Sequence, residues 1–286
     1  MRDLLEESIM PTETPLIETP LLIDARALEA RLQDTTLRII DVSEADHYAQ
    51  GHLPAAVHLD YPRLLRDEPP AMGMIPEPDD LTQLFRELGI HPGSHVVAYD
   101  DEGGGKASRL LWTLAVVGHE RLSLLDGGLE GWRRENMPVT TQEPSIDQGD
   151  YPIGAFNESQ VADRDWILAH LQDPRVAFLD ARSPEEFDGS DVRAQRGGHI
   201  PGAILYEWTQ AMDAKQDLRL RPERTLLQEL GTQGITRDKE IVTYCHTHHR
   251  SAYTWLVLKH LGFEKVRGYP GSWSDWGNCP DTPIEP

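Results

Sequence analysis

The stretch Cys245-His246-Thr247-His248-His249-Arg250-Ser251 gathers a thiol, three imidazoles, a guanidinium and two hydroxyls. Such a set suits nucleophilic chemistry at sulfur, provided that the thiol is ionised. An ordinary cysteine has a pKa of about 8.5, so only a few per cent is thiolate at neutral pH. Lowering that value by about two units takes about 3 kcal/mol of preferential anion stabilisation. A helix dipole supplies at most about 2 kcal/mol. Backbone N–H donors and Arg250 are expected to contribute the rest. The same residues could instead ligate a metal, but ligands this close in sequence rarely converge tetrahedrally, because structural sites draw on separated pairs. No metal and no organic cofactor is expected. His246, His248 and His249 are expected to line a pocket mouth, where partial protonation would add positive charge for an anionic partner.

The elements around this stretch place it. Ile241-Val242-Thr243-Tyr244 reads as a strand running into Cys245, and Ser251 to Leu261 reads as a helix ended by Gly262. Open α/β sheets bind ligands outside the carboxyl ends of their strands. A tight strand-to-helix loop also turns its amides into its own concavity. Arg250 either faces that concavity or pairs with a buried carboxylate, Asp180 or Glu186, which would fix the exit of the loop. The other cysteine, Cys279, sits in Asn278-Cys279-Pro280-Asp281 and reads as an incidental thiol. Two cysteines in 286 residues make no disulfide framework. A reducing, cytoplasmic location is expected.

The chain also repeats itself. Ile39-Ile40-Asp41-Val42 and Gly51-His52-Leu53-Pro54-Ala55-Ala56 have counterparts in Phe178-Leu179-Asp180-Ala181 and Gly198-His199-Ile200-Pro201-Gly202-Ala203. Val96-Val97-Ala98-Tyr99-Asp100 matches Ile241-Val242-Thr243-Tyr244-Cys245, and Gly127-Gly128-Leu129-Glu130-Gly131-Trp132 is matched to Gly268-Tyr269-Pro270-Gly271-Ser272-Trp273. The pairing of Trp132 with Trp273 favours core packing for both. Strands alternate with helices in each half, which implies α/β domains with mostly parallel sheets covered on both faces. The expected division is a tail over residues 1–20, a first domain over 21–140, a Pro-, Gly- and polar-rich linker over 141–157, and a second domain over 158–286. Asp100 stands where the second half has Cys245, so the first domain cannot carry a thiol at that place.

These motifs resemble the rhodanese family across both halves. The resemblance rests on the Cys-x4-Arg-Ser loop before a helix, on Gly198-His199-Ile200-Pro201-Gly202-Ala203, and on Gly271-Ser272-Trp273-Ser274-Asp275-Trp276-Gly277. The loop is similar to that of the Azotobacter-type bacterial rhodaneses. It departs from the Cys-Arg-Lys-Gly-Val-Thr and Cys-Gly-Ser-Gly-Val-Thr loops usual in thiosulfate and mercaptopyruvate enzymes. The resemblance implies two tandem rhodanese-like domains, the first inactive. It implies a sulfurtransferase that carries sulfur as a persulfide on Cys245, by covalent catalysis in two steps. Thiosulfate is the preferred donor and 3-mercaptopyruvate the alternative. The acceptor is cyanide or a thiol, a protein thiol included. Arg182 and Arg196 are implied contacts for the anionic end of the donor, with solvated roles open to both. Trp208 is either a pocket wall or a core tryptophan.

Two other readings compete. Cysteine phosphatases also use a thiolate in a loop closed by arginine, but with five intervening residues; here His246 to His249 make four, so the cradle fits one sulfur rather than a tetrahedral oxyanion. A persulfide carrier or regulatory module would gain sulfur without catalytic turnover. The formal net charge of -21 disfavours phosphate backbones and so nucleic acid. No apolar run approaches the roughly 20 residues of a membrane span, and the acidic, proline-dotted start lacks the pattern of a secretory signal.

Overall fold

The computed structural model describes residues 19–286. The expected tail therefore lies almost wholly outside the described residues. In the first half, strands β1 (Leu22–Ile23), β2 (Leu37–Asp41), β3 (Ala56–His58), β6 (His95–Tyr99) and β7 (Leu122–Leu125) form one parallel sheet in the order β1-β7-β6-β2-β3. A small antiparallel hairpin, β4 (Arg66–Glu68) and β5 (Ala71–Met74), stands apart from it. Helices α1 (Ala25–Glu29), α2 (Ala45–Gln50), α3 (Pro78–Glu87), α4 (Gly105–Val116) and α5 (Gly128–Arg134) connect these strands.

The second half repeats the plan. Strands β8 (Val176–Asp180), β9 (Ile204–Leu205), β12 (Glu240–Tyr244) and β13 (Val266–Gly268) pair in parallel in the order β13-β12-β8-β9. A parallel bridge from Val161 to Gly268 takes the place of β1. The hairpin here is β10 (Met212–Asp213) with β11 (Arg219–Leu220). The helices are α6 (Arg164–His170), α7 (Pro184–Phe187), α8 (Glu223–Thr232), α9 (Arg250–His260) and α10 (Ser272–Trp276). The strands read as unbroken apolar runs because helices cover both faces. No helix among the described residues is long and apolar enough to cross a membrane.

Helices α4 and α9 pack against each other between the sheets, and a single apolar core runs through both halves around them. Almost every side chain of α4 is buried, as expected for a helix enclosed on all sides. Residues 141–157 form no regular element but are pinned rather than loose. Gly149 donates to the carbonyl of Arg86, and Tyr151 stacks edge-on against Phe85.

The duplication extends to individual hydrogen bonds. The Tyr99 hydroxyl accepts the N–H of Leu53 at 3.1 Å, and the Tyr244 hydroxyl accepts that of Ile200 at 3.2 Å. His52 stacks on Tyr48 as His199 stacks on Phe187, at 3.8 and 3.7 Å. The last motif aligns differently from the sequence reading. Gly128 and Ser272 both open a helix in the left-handed region, at φ +52° and +49°. The Trp132 indole donates to the carbonyl of Pro138, and the Trp276 indole to that of Pro283. Trp132 is thus the counterpart of Trp276, not of Trp273. The sequence match followed the first glycine and the closing tryptophan, whereas the fold follows the helix start.

Candidate active site

Cys245 directly follows β12, and the loop from it to α9 is held from outside. Ser272 is the central staple: its Oγ accepts the N–H of Cys245 at 3.2 Å and of His248 at 3.1 Å, and donates to the carbonyl of Tyr269 at 2.7 Å. The carbonyls of Cys245 and His246 accept the N–H groups of Trp273 and Ser274, at 2.9 and 3.0 Å. Those of Thr247 and His248 accept from the Arg109 guanidinium of the first half. With its oxygens tied outward, the loop turns its amides inward. Among the described residues, the N–H groups of His246, Thr247, His249 and Arg250 meet no oxygen acceptor, and the amide of Ser251 acts to lower the thiol pKa. His248 adopts φ +54°, a conformation rare for a side-chain-bearing residue. It is tolerated because its neighbours fix it on every side.

Burial alone would push the Cys245 thiol up. The charge of Arg250, the hydroxyl and amide of Ser251, and His249 outweigh it and hold the thiol below its ordinary value. Arg250 fills both roles left open by the sequence. It makes two bonds to Glu186, at 2.6 and 2.9 Å, and its charge also acts on the sulfur. Burial would raise Glu186, but its bonds with Arg250 bring it down to about 2.

Two of the three histidines, His246 and His248, are held below the ordinary imidazole pKa rather than supplying positive charge. His248 is completely buried, and desolvation together with Arg109 holds it well below the imidazole range, so the ring is neutral. Its Nδ1 lies 2.8 Å from Ser251 Oγ. His246 is also lowered, by burial first. His249 lies between Tyr61 and Trp208, with ring centroids 5.3 and 6.1 Å away, and its Nε2 bonds across the halves to Glu102. Trp208 is half-buried, edge-on to Tyr253 at 5.9 Å. It stands beside the loop and against the core at once.

Two arginines are placed otherwise than expected. Arg182 is 1% exposed, with bonds to both oxygens of Asp180 and to the carbonyl of Gly198. Its guanidinium stacks 4.4 Å above the Trp273 ring. It ties strand β8 to the following loop instead of reaching for a donor. Arg196 donates to the carbonyls of Trp276, Cys279 and Thr282, and so fastens the C-terminal segment. For Arg182 the acceptor lies two residues away, and for Arg196 the acceptors are carbonyls about 80 residues later, which sequence spacing does not reveal.

The concavity expected around the thiol is covered, since Cys245 is only 1% exposed. The β4–β5 hairpin of the first half covers the loop. Gly73, at φ +78°, sits so close that a Cβ there would lie 2.6 Å from the carbonyl oxygen of Thr247. Ser274 clasps the hairpin through both the N–H and the carbonyl of Met72. Gly73→Ala should therefore displace the loop. The left-handed backbone alone costs about 1–2 kcal/mol. A fall in kcat/KM exceeding the fall in stability is expected from parallel kinetics and urea titration, and an unchanged kcat/KM would refute it.

The matching loop of the first half is occupied by its own side chain. The Asp100 carboxylate accepts the N–H groups of Glu102, Gly104 and Ala107, at 3.0, 2.7 and 2.9 Å. Burial, then the nearby Glu102, raises it to about 6 against those amides. A cavity of about 400 Å³ adjoins it, lined by Ser43, His47, Asp101 and Asp217 among others. That room is of no use to sulfur chemistry, since no thiol lies there. Among the described residues no cluster of three or more His, Cys, Asp or Glu could hold a metal.

Comparison with known proteins agrees with this arrangement. The rhodanese-like domain family matches residues 24–135 and again 163–279. A thiosulfate sulfurtransferase of Azotobacter vinelandii is 46% identical, over 93% of this chain and 97% of the relative. One of Pseudomonas aeruginosa is 43% identical, over 94% of this chain and 98% of the relative. The crystal structure of a 3-mercaptopyruvate sulfotransferase of Escherichia coli superposes with a TM-score of 0.79 at 28% identity, covering 89% of this chain and 99% of that one.

Proposed function

The chain belongs to the rhodanese family, and from that premise we propose that it transfers sulfane sulfur from thiosulfate to a nucleophilic acceptor through Cys245. The observation that carries this reading is the inward-facing amide loop around a thiol held below its ordinary pKa. The Cys245 thiolate attacks the outer sulfur of thiosulfate. The new S–S bond forms as the old one breaks, and sulfite leaves with the bonding pair. The terminal sulfur of the persulfide is then an anion, and the amides of Thr247 and His249 are suited to hold it, as their counterparts hold the Asp100 carboxylate. Cyanide or a thiolate next attacks that sulfur and regenerates the Cys245 thiolate. The two displacements consume no external oxidant and match covalent catalysis in two steps. His246, Thr247, His248, His249, Arg250 and Ser251 build the cradle, and Trp208 walls it. Arg182 and Arg196 support it from behind. A cytoplasmic site of action suits a free thiol.

Thiosulfate is favoured over 3-mercaptopyruvate because the thiosulfate enzymes of Azotobacter and Pseudomonas are the nearer relatives. Steady-state kinetics with either donor and cyanide should give parallel double-reciprocal lines. The ratio kcat/KM should be higher for thiosulfate by about tenfold, or about 1.4 kcal/mol at the transition state. Equal or reversed values would overturn the donor assignment. Sulfur gain without turnover would make the protein a carrier.

A further inference from the structure

Arg109 stands on α4, in the half that has no thiol, yet it reaches the Cys245 loop. It is completely buried, and among the described residues no carboxylate pairs with it and its Nε has no partner. A buried cation without a counter-ion is among the more costly arrangements in a protein. Its terminal nitrogens instead donate to carbonyl oxygens from two chain segments. Gly73, Met74 and Leu64, at 2.7, 3.2 and 3.4 Å, belong to the covering hairpin and the turn before it. Thr247 and His248, at 3.3 and 3.4 Å, belong to the active loop. The Trp112 ring lies 4.9 Å from the guanidinium carbon.

The surroundings offer one anion to balance this charge. Negative charge on Cys245 stabilises the protonated guanidinium, and so would negative charge on Tyr61, but burial keeps the Tyr61 phenol neutral. Elsewhere around the sulfur, Arg250 answers to Glu186 and His249 to Glu102, while His248 is neutral. We propose that Arg109 is a positioning residue for sulfur transfer: its fork holds the carbonyls of Thr247 and His248 out of the cradle, and its charge is balanced by the Cys245 anion. The two halves are thereby coupled, because the thiol-free half supplies the donor that keeps the loop amides turned inward. At the equivalent place on α9 the second half has Thr254, so the support runs in one direction. The activity arm of the test rests on the sulfur-transfer reading. The alkylation arm does not.

The test compares Arg109→Met and Arg109→Lys with wild type in thermal melting, in the pH profile of Cys245 alkylation by iodoacetamide, and in thiosulfate–cyanide turnover. For Arg109→Met the alkylation midpoint should move up by about one pH unit, a tenfold loss of thiolate well below it. Its kcat/KM should fall about a hundredfold, as for a small misplacement of reacting groups. Arg109→Lys keeps the charge but not the fork, so the alkylation midpoint should return while kcat/KM stays about tenfold low. A merely structural arginine would lower the melting temperature and leave the alkylation profile of the folded variant unmoved, which would overturn the proposal. Should Arg109→Met fail to fold, Arg109→Lys decides alone, and wild-type kcat/KM in it refutes the role of the fork. Absence of turnover in wild type would sink the functional reading and leave the alkylation result to judge Arg109.

Discussion

Replacing Cys245 with serine or alanine is expected to reduce thiocyanate formation from thiosulfate and cyanide by at least about three orders of magnitude, the scale on which loss of a nucleophile acts. The hydroxyl of serine cannot substitute, because its far higher pKa leaves it protonated in the same cradle. Cys279→Ser should be indistinguishable from wild type, since that residue lies in a loop fastened by Arg196. Mass spectrometry after thiosulfate treatment should find the weight of one added sulfur on wild type and on Cys279→Ser, and none on Cys245→Ser. Turnover that survives in Cys245→Ser would place the chemistry elsewhere. The same thiol sets a pH dependence. Its folded value lies below that of a free cysteine, so the alkylation rate should decline, as pH falls, at a lower pH in the folded protein than in the unfolded chain.

Arg250→Met is expected to show the second large effect, on stability as well as rate. Glu186 is 1% exposed and would be left as a buried carboxylate without its partner. Breaking such a pair costs about 3–5 kcal/mol at neutral pH. The sign with pH follows from the depressed value of about 2 for Glu186. Its contribution is fully present above the ordinary carboxylate pKa of about 4.3 and is lost as pH falls through 2. The gap in unfolding free energy between wild type and variant should therefore be widest near neutrality and close on the acid side. Urea titrations at pH 7 and pH 3 would measure it, and a gap that is constant with pH would disprove the pairing as its cause. Turnover should fall along with stability, because Arg250 also lowers the thiol.

Much of this site was legible because its determinants are local. A strand running into Cys245 and a helix beginning near Arg250 put the thiol at the carboxyl edge of the sheet, and the structure places both elements within a residue of that reading. Asp180 and Glu186 are both open as partners of Arg250 in the sequence, and the structure pairs Arg250 with Glu186 and Asp180 with Arg182. Most of the errors concern where side chains point. Arg182 has Asp180 two residues away, and that short path wins over the crevice. Arg196 closes on a segment about 80 residues later, which no local pattern announces. The three histidines look alike in sequence, yet one is buried and neutral, one is half-buried and one answers to a glutamate of the other half. Arg109 left no trace at all, since its contacts with the loop span 138 and 139 residues. Ser272 was hidden by an alignment that matched Trp132 to Trp273 and so slid past the helix start.

The carboxylate that Asp100 folds into its own ring of amides has a stoichiometric consequence. A vacant ring would attract small oxyanions and compete with the working loop for sulfite, sulfate or donor. A ring already plugged from within is deaf to them. Titrating the enzyme with radiolabelled donor should then saturate at one equivalent per polypeptide. The gene duplication has left a spare receptacle that is permanently stoppered.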